Sequence, residues 1–367
     1  MGAQQGTVRR EDRVDLSRTK TPLSPGSKRG AILIVATAMI AALAGTIVLL
    51  SRTSTNPSVI ATKGCVGAGR SVVNTPIATL TTGYAPRPAS DTTFRASGTT
   101  WLPDLGTYPI DIDPGGERLC WFDGAVFGSI TPDMTWEQAH VFNQPCLRVV
   151  ATVWMEVDRL RCDGTDDGFR PRESETAAQN TMMTVRDTYF TNIHDDCLEN
   201  DGVIGGLLQD DLWDGCFTGI SERPSTDQGA FAQPPGETLT LDHMIIGLQR
   251  FPQDSGLLGE NALFKWSASA NDLVIECSVF KVDSLSVNGI DTMTIPGTID
   301  DSGCPRHPST LIWLGGGRYP APLPAGLKVT SDISVWDSAV ADWKQRHAGV
   351  FSASASVSSD TPTPSPS

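Results

Sequence analysis

Two pairs of adjacent aspartates, which recur one repeat apart, are the part of the sequence best suited to chemistry. They are Asp166-Asp167 and Asp195-Asp196. If the pairs stack on neighbouring strands, roughly 4.8 Å apart, four carboxylates cannot all stay ionised without a large free-energy cost. Either a cation compensates them or at least one pKa rises. The first outcome gives a Ca²⁺ site built from all four aspartates, and the second gives an acid and a base for glycosidic cleavage.

Other polar residues lie near these pairs in the sequence. Arg170 and His194 are candidate catalytic residues, because an arginine can act as a base or hold a carboxylate and a histidine titrates near neutral pH. Candidate substrate-binding residues are Glu199, Arg223 and Arg250. A structural interpretation stays open, in which the aspartates cap backbone N–H groups at strand corners and His194 makes only hydrogen bonds.

Strand-like runs recur at the interval of one coil of a parallel β-helix. Five apolar residues are taken as equivalent positions, with spacings of 28, 23, 33 and 33 residues: Val157, Val185, Leu208, Leu241 and Val274. Each of the three closest repeats then has a turn pair: Asp163-Gly164, Thr191-Asn192 and Asp214-Gly215. An apolar column follows, made of Phe169, Leu198 and Ile220. The third repeat carries Phe217-Thr218 where the others carry aspartates.

We read runs such as Met183–Phe190 as single strands.

With this register the chain resembles the right-handed parallel β-helix proteins of the pectate-lyase-like superfamily, and most closely their uncharacterised bacterial members. The resemblance spans roughly residues 115–282 and is carried by residues 163–168, 194–202 and 214–221. It implies an all-β, right-handed solenoid whose long groove suits a polysaccharide or a cell-wall glycan.

Two enzyme groups of that superfamily are similar in their motifs. Thr165-Asp166 and Asp195-Asp196-Cys197 look similar to the Asn-Thr-Asp-Gly and Asp-Asp-Cys motifs of polygalacturonases, which implies a general acid and a base for an inverting water. The chain departs from that pattern at Gly215-Cys216-Phe217, where a Gly-His-Gly motif is expected, and no Arg-Ile-Lys follows. Pectate lyases, with Ca²⁺ held by aspartates and an arginine base, are a similar match. A non-catalytic glycan-binding or cell-surface structural protein is the alternative.

The first 71 residues of the chain predict a membrane anchor followed by a linker. Residues 1–30 are basic and residues 31–50 are an uncharged run, which as a helix spans roughly 30 Å. We therefore expect a cytoplasmic segment at 1–30, a transmembrane helix at 31–50, a linker at 51–71 and an extracytoplasmic domain at 72–350. A cleaved signal peptide is the alternative, which we disfavour because no small-x-small site closely follows Leu50. Export would permit disulfides among the eight cysteines, whose pairing the spacing does not determine.

The end of the chain and the overall charge complete the expectations. Ser331 to His347 places Ile333, Trp336, Val340 and Trp343 on one helical face, which predicts a helix that caps the end of the solenoid. Residues 351–367 are rich in Ser, Thr and Pro and predict a disordered tail. The net charge is −14, and residues 1–30 contribute +4 of it, so the rest carries −18. This excess argues against nucleic acid as a partner, and we expect a monomer.

Overall fold

A computed structural model describes residues 70–113, 116–151, 153–173, 181–223, 237–304 and 306–351. The predicted cytoplasmic segment (1–30), the transmembrane helix (31–50) and nearly all of the linker lie outside these residues, as does the tail from residue 352. No helix in the described ranges is long and apolar enough to cross a membrane.

The described residues stack as coils of parallel strands, consistent with the predicted parallel β-helix. One face is a nine-stranded parallel sheet, with a strand from each successive coil. Its strands are β1 (Ser71–Asn74), β3 (Thr92–Arg95), β6 (Arg118–Phe122), β9 (Trp154–Asp158), β12 (Met182–Arg186), β15 (Gly205–Gln209), β17 (Thr238–Asp242), β22 (Asp272–Glu276) and β24 (Thr298–Ile299).

The other strands form a 15-stranded sheet with two arms, which make the second and third faces. The second face contains β2 (Thr79–Leu80), β4 (Thr100–Trp101), β7 (Ala125–Phe127), β10 (Arg161–Asp163), β13 (Tyr189–Thr191), β18 (Ile245–Leu248), β23 (Val279–Val282), β25 (Thr310–Trp313) and β26 (Lys328–Thr330). The third contains β5 (Ile110–Ile112), β8 (Pro145–Ala151), β11 (Asp167–Glu173), β14 (Ile193–Glu199) and β21 (Phe264–Trp266). Strand β16 (Leu212–Glu222) runs through both faces and joins them.

The predicted register is confirmed over four of its five positions. An inward column follows the first sheet from coil to coil, through Val73, Phe94, Trp121, Val157, Val185, Leu208, Leu241, Ile275 and Ile299. Val274 was wrong by one residue, because Leu241 pairs with Ile275. The core column of Phe169, Leu198 and Ile220 is confirmed, with each side chain fully buried. These columns make the hydrophobic interior continuous along the stack.

Sharp corners separate the first and second faces, so several runs predicted as one strand are two. Met183–Phe190 bends at Asp187, which has φ 56°. The residues at this corner in five other coils also have positive φ: Asp123 (63°), Arg159 (57°), Asp210 (55°), His243 (58°) and Cys277 (50°). These residues adopt the left-handed conformation without being glycine, so the local sequence does not indicate a corner. The predicted turn column is confirmed by Gly164, Asn192 and Gly215, with φ 70°, 51° and 125°.

The structure contains short helices besides the strands. They are α1 (Trp136–His140), α2 (Ile333–Arg346), α3 (Ala348–Phe351) and the 3-10 helix Ile290–Met293. An antiparallel hairpin pairs β19 (Phe251–Pro252) with β20 (Leu258–Gly259). Strands β1 to β5 show that residues 71–113 also form coils of the stack.

Helix α2 was predicted to cap the end of the solenoid, and this placement was wrong. Its Trp336 and Trp343 pack on the outside of the second face, against residues from successive coils such as Tyr189, Leu212 and Ile245. Ile333, predicted on the same buried face, is 41% exposed. The outward-facing apolar residues of that sheet give the helix a side surface to cover, so it lies along the flank.

Three disulfides join described cysteines. They are Cys146–Cys162, Cys197–Cys216 and Cys277–Cys304. The second links β14 to β16, directly after the Asp195-Asp196 pair, and so fixes the two coils to each other at the predicted site.

Candidate functional site

The two aspartate pairs stack on neighbouring coils, as predicted. Asp166 precedes β11, Asp167 begins it, and Asp195 and Asp196 lie in β14. The Asp195 backbone N–H donates to the Asp166 carbonyl (2.7 Å), and the Asp196 N–H donates to Asp167 Oδ1 (3.2 Å). All four are buried, with at most 6% of each residue exposed. Four carboxyl groups thus converge at the start of the third face.

A β-bulge adjusts the second pair. Between β14 and β16, Ile193 pairs with Cys216 but Asp196 pairs with Thr218, so β14 has one extra residue there. Bulges change the direction of side chains and are common beside functional sites. Thr218 occupies the register position of Asp196 on the next coil, which confirms that the acidic column ends after two coils.

Two basic residues from distant parts of the chain contact the aspartates. His140 Nδ1 lies 3.2 Å from Asp195 Oδ2 and 3.6 Å from Asp166 Oδ2. Lys265 Nζ lies 2.8 Å from Asp195 Oδ1 and 2.7 Å from Asp196 Oδ1. Neither residue was predicted. Asp195 is therefore held between two cations, whereas Asp166, in the described part of the chain, has only the longer contact with His140.

Arg170 and Glu199 extend this cluster along the third face. Because Phe169 pairs with Leu198, Arg170 lies beside Glu199 on the next coil, and its guanidinium forms ion pairs with both Glu199 and Asp167. It also donates to Asn143 Oδ1 (2.5 Å). Burial lowers the pKa of Arg170, but the carboxylates of Asp167 and Glu199 raise it by more, so the pKa lies above its usual value. The arginine is therefore a fixed cation, which argues against the predicted role as a base.

Helix α1 holds His140 over the aspartates. Its N-terminus is a capping box, in which Thr135 and Gln138 bond each other's backbone. The Trp136 ring stacks on His140, with centroids 4.6 Å apart. Thr135 Oγ1 donates to Asp254 Oδ1 (2.6 Å), which ties α1 to the β19–β20 hairpin. His140 is 49% exposed and is the most accessible side chain of the cluster.

The aspartates differ in their protonation. Burial raises the pKa of Asp166 to about 7, even though nearby His140 opposes it. Burial and the charge of Asp195 raise the pKa of Asp196 to about 8. Burial alone would raise the pKa of Asp195, but Lys265 and His140 hold it well below its usual range. The hydrogen bonds to Asp166 and Asp195 raise the pKa of His140 to about 10. Near neutral pH, Asp195 is an anion beside carboxyl groups that retain a proton.

Full ionisation would leave the cluster with a net charge of −2, because five acids face three bases: Asp166, Asp167, Asp195, Asp196 and Glu199 against His140, Arg170 and Lys265. Asp167, Asp195 and Asp196 have oxygens within 4.8 Å of one another, a spacing that a metal ion could use. However, Arg170 and Lys265 already lie against these oxygens and would repel Ca²⁺. The donor set therefore fits a protonated cluster better than the predicted Ca²⁺ site, which stays untested.

The remaining predicted residues lie outside this cluster. His194 is buried and stacks on Phe251, with ring centroids 3.9 Å apart; burial lowers its pKa to about 4, so it is neutral. Among the described ion pairs, none joins His194 to the aspartates. Arg223 is exposed just after β16. Arg250 lines a separate cleft with Asp214, Lys281 and Asp283.

His140 and Lys265 were missed for different reasons. Thr135 and Gln138 are a visible capping-box signal for a helix, but nothing local predicts where that helix docks. Lys265 pairs with Ser221 on the preceding coil, and the long segment between them interrupts the repeat spacing.

The chain was also compared with known proteins. No protein-family model, no curated protein and no solved structure matches it.

Proposed function

We propose that the chain hydrolyses glycosidic bonds of a polysaccharide, with Asp166 as general acid and Asp195 as the ionised nucleophile. One observation carries this proposal. Oxygens of Asp166 and Asp195, on neighbouring coils, lie within 4.8 Å of each other around His140, yet the pKa of Asp166 is raised to about 7 while that of Asp195 is held below its usual range. Carboxyl pairs whose pKa values are driven apart are the usual acid and ionised nucleophile of glycoside hydrolysis.

Asp166 is suited to donate a proton. Its pKa of about 7 keeps a substantial fraction protonated at neutral pH, and a catalytic pKa near the working pH is the most effective. Its carboxyl oxygens have no hydrogen bond or ion pair closer than the 3.6 Å to His140 Nδ1 among the described residues, so a glycosidic oxygen competes with that imidazole alone.

Asp195 is suited to the ionised role. Lys265 and His140 stabilise its carboxylate, and its closeness to Asp166 leaves no room for a water between the two groups. Asp195 therefore attacks the sugar carbon while Asp166 protonates the leaving oxygen, and a water activated by Asp166 then hydrolyses the glycosyl-enzyme. Asp196 shares Lys265 with it and, with a pKa of about 8, acts as a neutral neighbour that can hold a water or a sugar hydroxyl. Arg170 and Glu199 then serve as the support that keeps Asp167 in place.

Hydrolysis is better supported than β-elimination. A lyase of the type considered above needs an arginine base and Ca²⁺ to acidify the sugar. Arg170 is bound to two carboxylates, and the basic groups of the cluster occupy the side of the aspartates that Ca²⁺ would need. A hydrolase of the proposed kind needs only an acid, a nucleophile and water.

Substrate access requires movement of His140. The Asp166 side chain is fully buried and that of Asp195 is 9% exposed, and the half-exposed imidazole of His140 spans both. We infer that a sugar ring displaces this imidazole and that helix α1, bound to the hairpin through Asp254, is the element that shifts. Trp136, which stacks on His140 and lies 5.9 Å from the Phe217 ring, would move with it.

We also propose that the chain is a right-handed β-helix of the pectate-lyase-like superfamily, held outside the cytoplasm by a membrane anchor. The parallel strands in three faces and the stacked aspartates support a right-handed member of the pectate-lyase-like superfamily. The disulfides support an oxidising location outside the cytoplasm. An anchor at residues 31–50 would hold the β-helix at the outer surface of the membrane, where a cell-wall glycan is accessible.

The test is a product assay on the purified full chain against a panel of neutral and acidic polysaccharides. Hydrolysis gives new reducing ends without ultraviolet-absorbing unsaturated ends. Asp195→Asn should lower the rate at least a thousandfold, whereas Asp272→Asn, an exposed aspartate at the start of β22, should not change it. Full activity of Asp195→Asn, or unsaturated products, would exclude the proposed mechanism.

The alternative is a non-catalytic glycan-binding or cell-surface structural protein. It is favoured by the ion pairs that already engage Asp167, Asp195 and Asp196, since structural ion-pair networks also perturb pKa values. In that case the panel yields binding without product, and Asp195→Asn affects stability alone.

A further inference from the structure

A second polar cleft lies on the coils that follow the acidic cluster. Its volume is about 280 Å³, and its lining includes Asp214, Gln249, Arg250, Leu258, Lys281 and Asp283. Gln249 Nε2 donates to Asn192 Oδ1 (3.2 Å), which joins the cleft to the coil that carries Asp195. The cleft belongs to the second face, whereas the aspartate pairs belong to the third.

The charged groups of this cleft are incompletely paired. Arg250 is exposed, and in the described part of the chain it has no hydrogen bond or ion pair. Asp283 Oδ1 is buried without a hydrogen-bond partner among the described residues. Lys281 Nζ is 3.7 Å from Asp283 Oδ2 and lies over the Trp336 ring, 5.2 Å from its centroid. Two cations and two carboxylates therefore face the same space, and some of their hydrogen-bond donors and acceptors have no partner among the described residues.

This set of groups selects a ligand that both donates and accepts hydrogen bonds. The formal charges of Asp214, Arg250, Lys281 and Asp283 cancel, so the cleft as a whole exerts little net electrostatic attraction on a charged ligand. A sugar hydroxyl can donate to a carboxylate and accept from a guanidinium or an ammonium, and hydrogen bonds to charged groups are the stronger ones. Leu258, 58% exposed, offers an apolar contact for a ring face. The volume is at the lower end for ligand sites (~300–1,000 Å³), which suits one ring.

We propose that this cleft binds one neutral sugar ring of a glycan, as a site separate from the acidic cluster. Arg250 and Lys281 donate to ring hydroxyls, and Asp214 and Asp283 accept from them. The site would keep a polysaccharide on the β-helix while another segment of the polymer reaches Asp166 and Asp195. Binding here does not require hydrolysis, so the two proposals can fail separately.

The test is ligand-observed NMR on the full chain carrying Asp195→Asn, which prevents turnover. The probes are the methyl glycosides and trisaccharides of glucose, galactose, mannose and N-acetylglucosamine, with glucuronate and glucosamine as charged comparators. We expect at least one neutral sugar to bind and Arg250→Met and Asp283→Asn each to weaken it at least tenfold. Arg318→Met, an exposed arginine elsewhere on the surface, is the matched control and should leave binding unchanged.

Three results would overturn the proposal. They are no binding of any neutral sugar, tighter binding of a charged comparator, or neutral-sugar binding that Arg250→Met and Asp283→Asn leave unaltered. Because Arg250 is exposed and without described partners, its replacement should not affect folding, and an unchanged thermal unfolding curve checks this. Binding in the Asp195→Asn background without hydrolysis by the wild type would support the cleft while removing the proposed enzyme activity.

Discussion

Lys265 Nζ lies 2.8 Å from Asp195 Oδ1, although 70 residues separate the two in the chain. The contact exists because β21 stacks on β16, which in turn stacks on β14. Its consequence is an aspartate that stays ionised inside a buried cluster, beside Asp196, which does not. The parallel stack thus produces an acid–base site from residues that are remote in sequence.

The buried ion pair should contribute strongly to stability. Its side chains are only 12% and 9% exposed, so Lys265→Met leaves a buried carboxylate without its main partner. Loss of one member of such a pair typically costs 3–5 kcal/mol. We expect the free energy of unfolding at pH 7 to fall by about 3 kcal/mol in urea denaturation. Lys328→Met, in the exposed strand β26, is the control; an equal effect of both variants would show that Lys265 has no special role.

Stability should fall as the pH rises from about 4 to 8. The folded pKa values of Asp166 and Asp196 are about 7 and about 8, so the folded state keeps protons that the unfolded chain releases above about pH 4. The stabilisation from these retained protons is complete below about pH 4 and is lost as the pH rises through the folded pKa values. Each group lowers the free energy of unfolding by up to about 1.4 kcal/mol per pH unit. Asp196→Asn should reduce the slope between pH 5 and 8 in urea unfolding. Parallel curves for variant and wild type would refute these assignments.

The disulfide beside the site should affect both stability and function. Cys197–Cys216 closes a loop with a sequence separation of 19, and loops of this size typically contribute about 3 kcal/mol. We expect the double variant Cys197→Ala/Cys216→Ala to lose that stability and also hydrolysis, because Cys197 follows Asp196 directly. Cys277→Ala/Cys304→Ala, with a separation of 27, should lose stability and keep its activity. Equal activity of the two double variants would count against this role.

Ca²⁺ should have little effect on the protein. Arg170 and Lys265 already lie against Asp167, Asp195 and Asp196, and these cations would oppose a divalent ion. We expect the thermal unfolding midpoint to change by less than about 1 °C between EDTA and millimolar Ca²⁺. A rise of several degrees with Ca²⁺ would favour the metal site over the protonated cluster.

Much of the coil register was predictable because stacked coils repeat the same inward positions. Val157, Val185, Leu208 and Leu241 share a column since each must fill the same layer of the core. The corners were not predictable, because Asp187 and its equivalents adopt positive φ without a glycine. The flank position of α2 also could not be read from its amphipathic pattern, which gives a buried face but not the surface that buries it.

The sequence predicted the aspartates of the site and their neighbours along the chain, but not the two basic residues that contact them. Asp166, Asp167, Asp195 and Asp196 follow from the repeat, and Arg170 and Glu199 from their nearness to it. His140 comes from a helix between β7 and β8, and Lys265 from a strand two coils away. Their contacts depend on tertiary packing of segments with irregular length, so no local pattern indicated that they would set the protonation of the aspartates.

The most direct test of an acid–base site is the pH dependence of kcat/KM for hydrolysis of the polysaccharide found in the panel. Asp195 is ionised throughout the usual range, so activity should be constant at moderately acidic pH. It should fall above about pH 7, approaching tenfold per unit, as Asp166 loses its proton. Activity that stays constant or increases up to pH 9 would contradict the account, because Asp166 could not then be the proton donor.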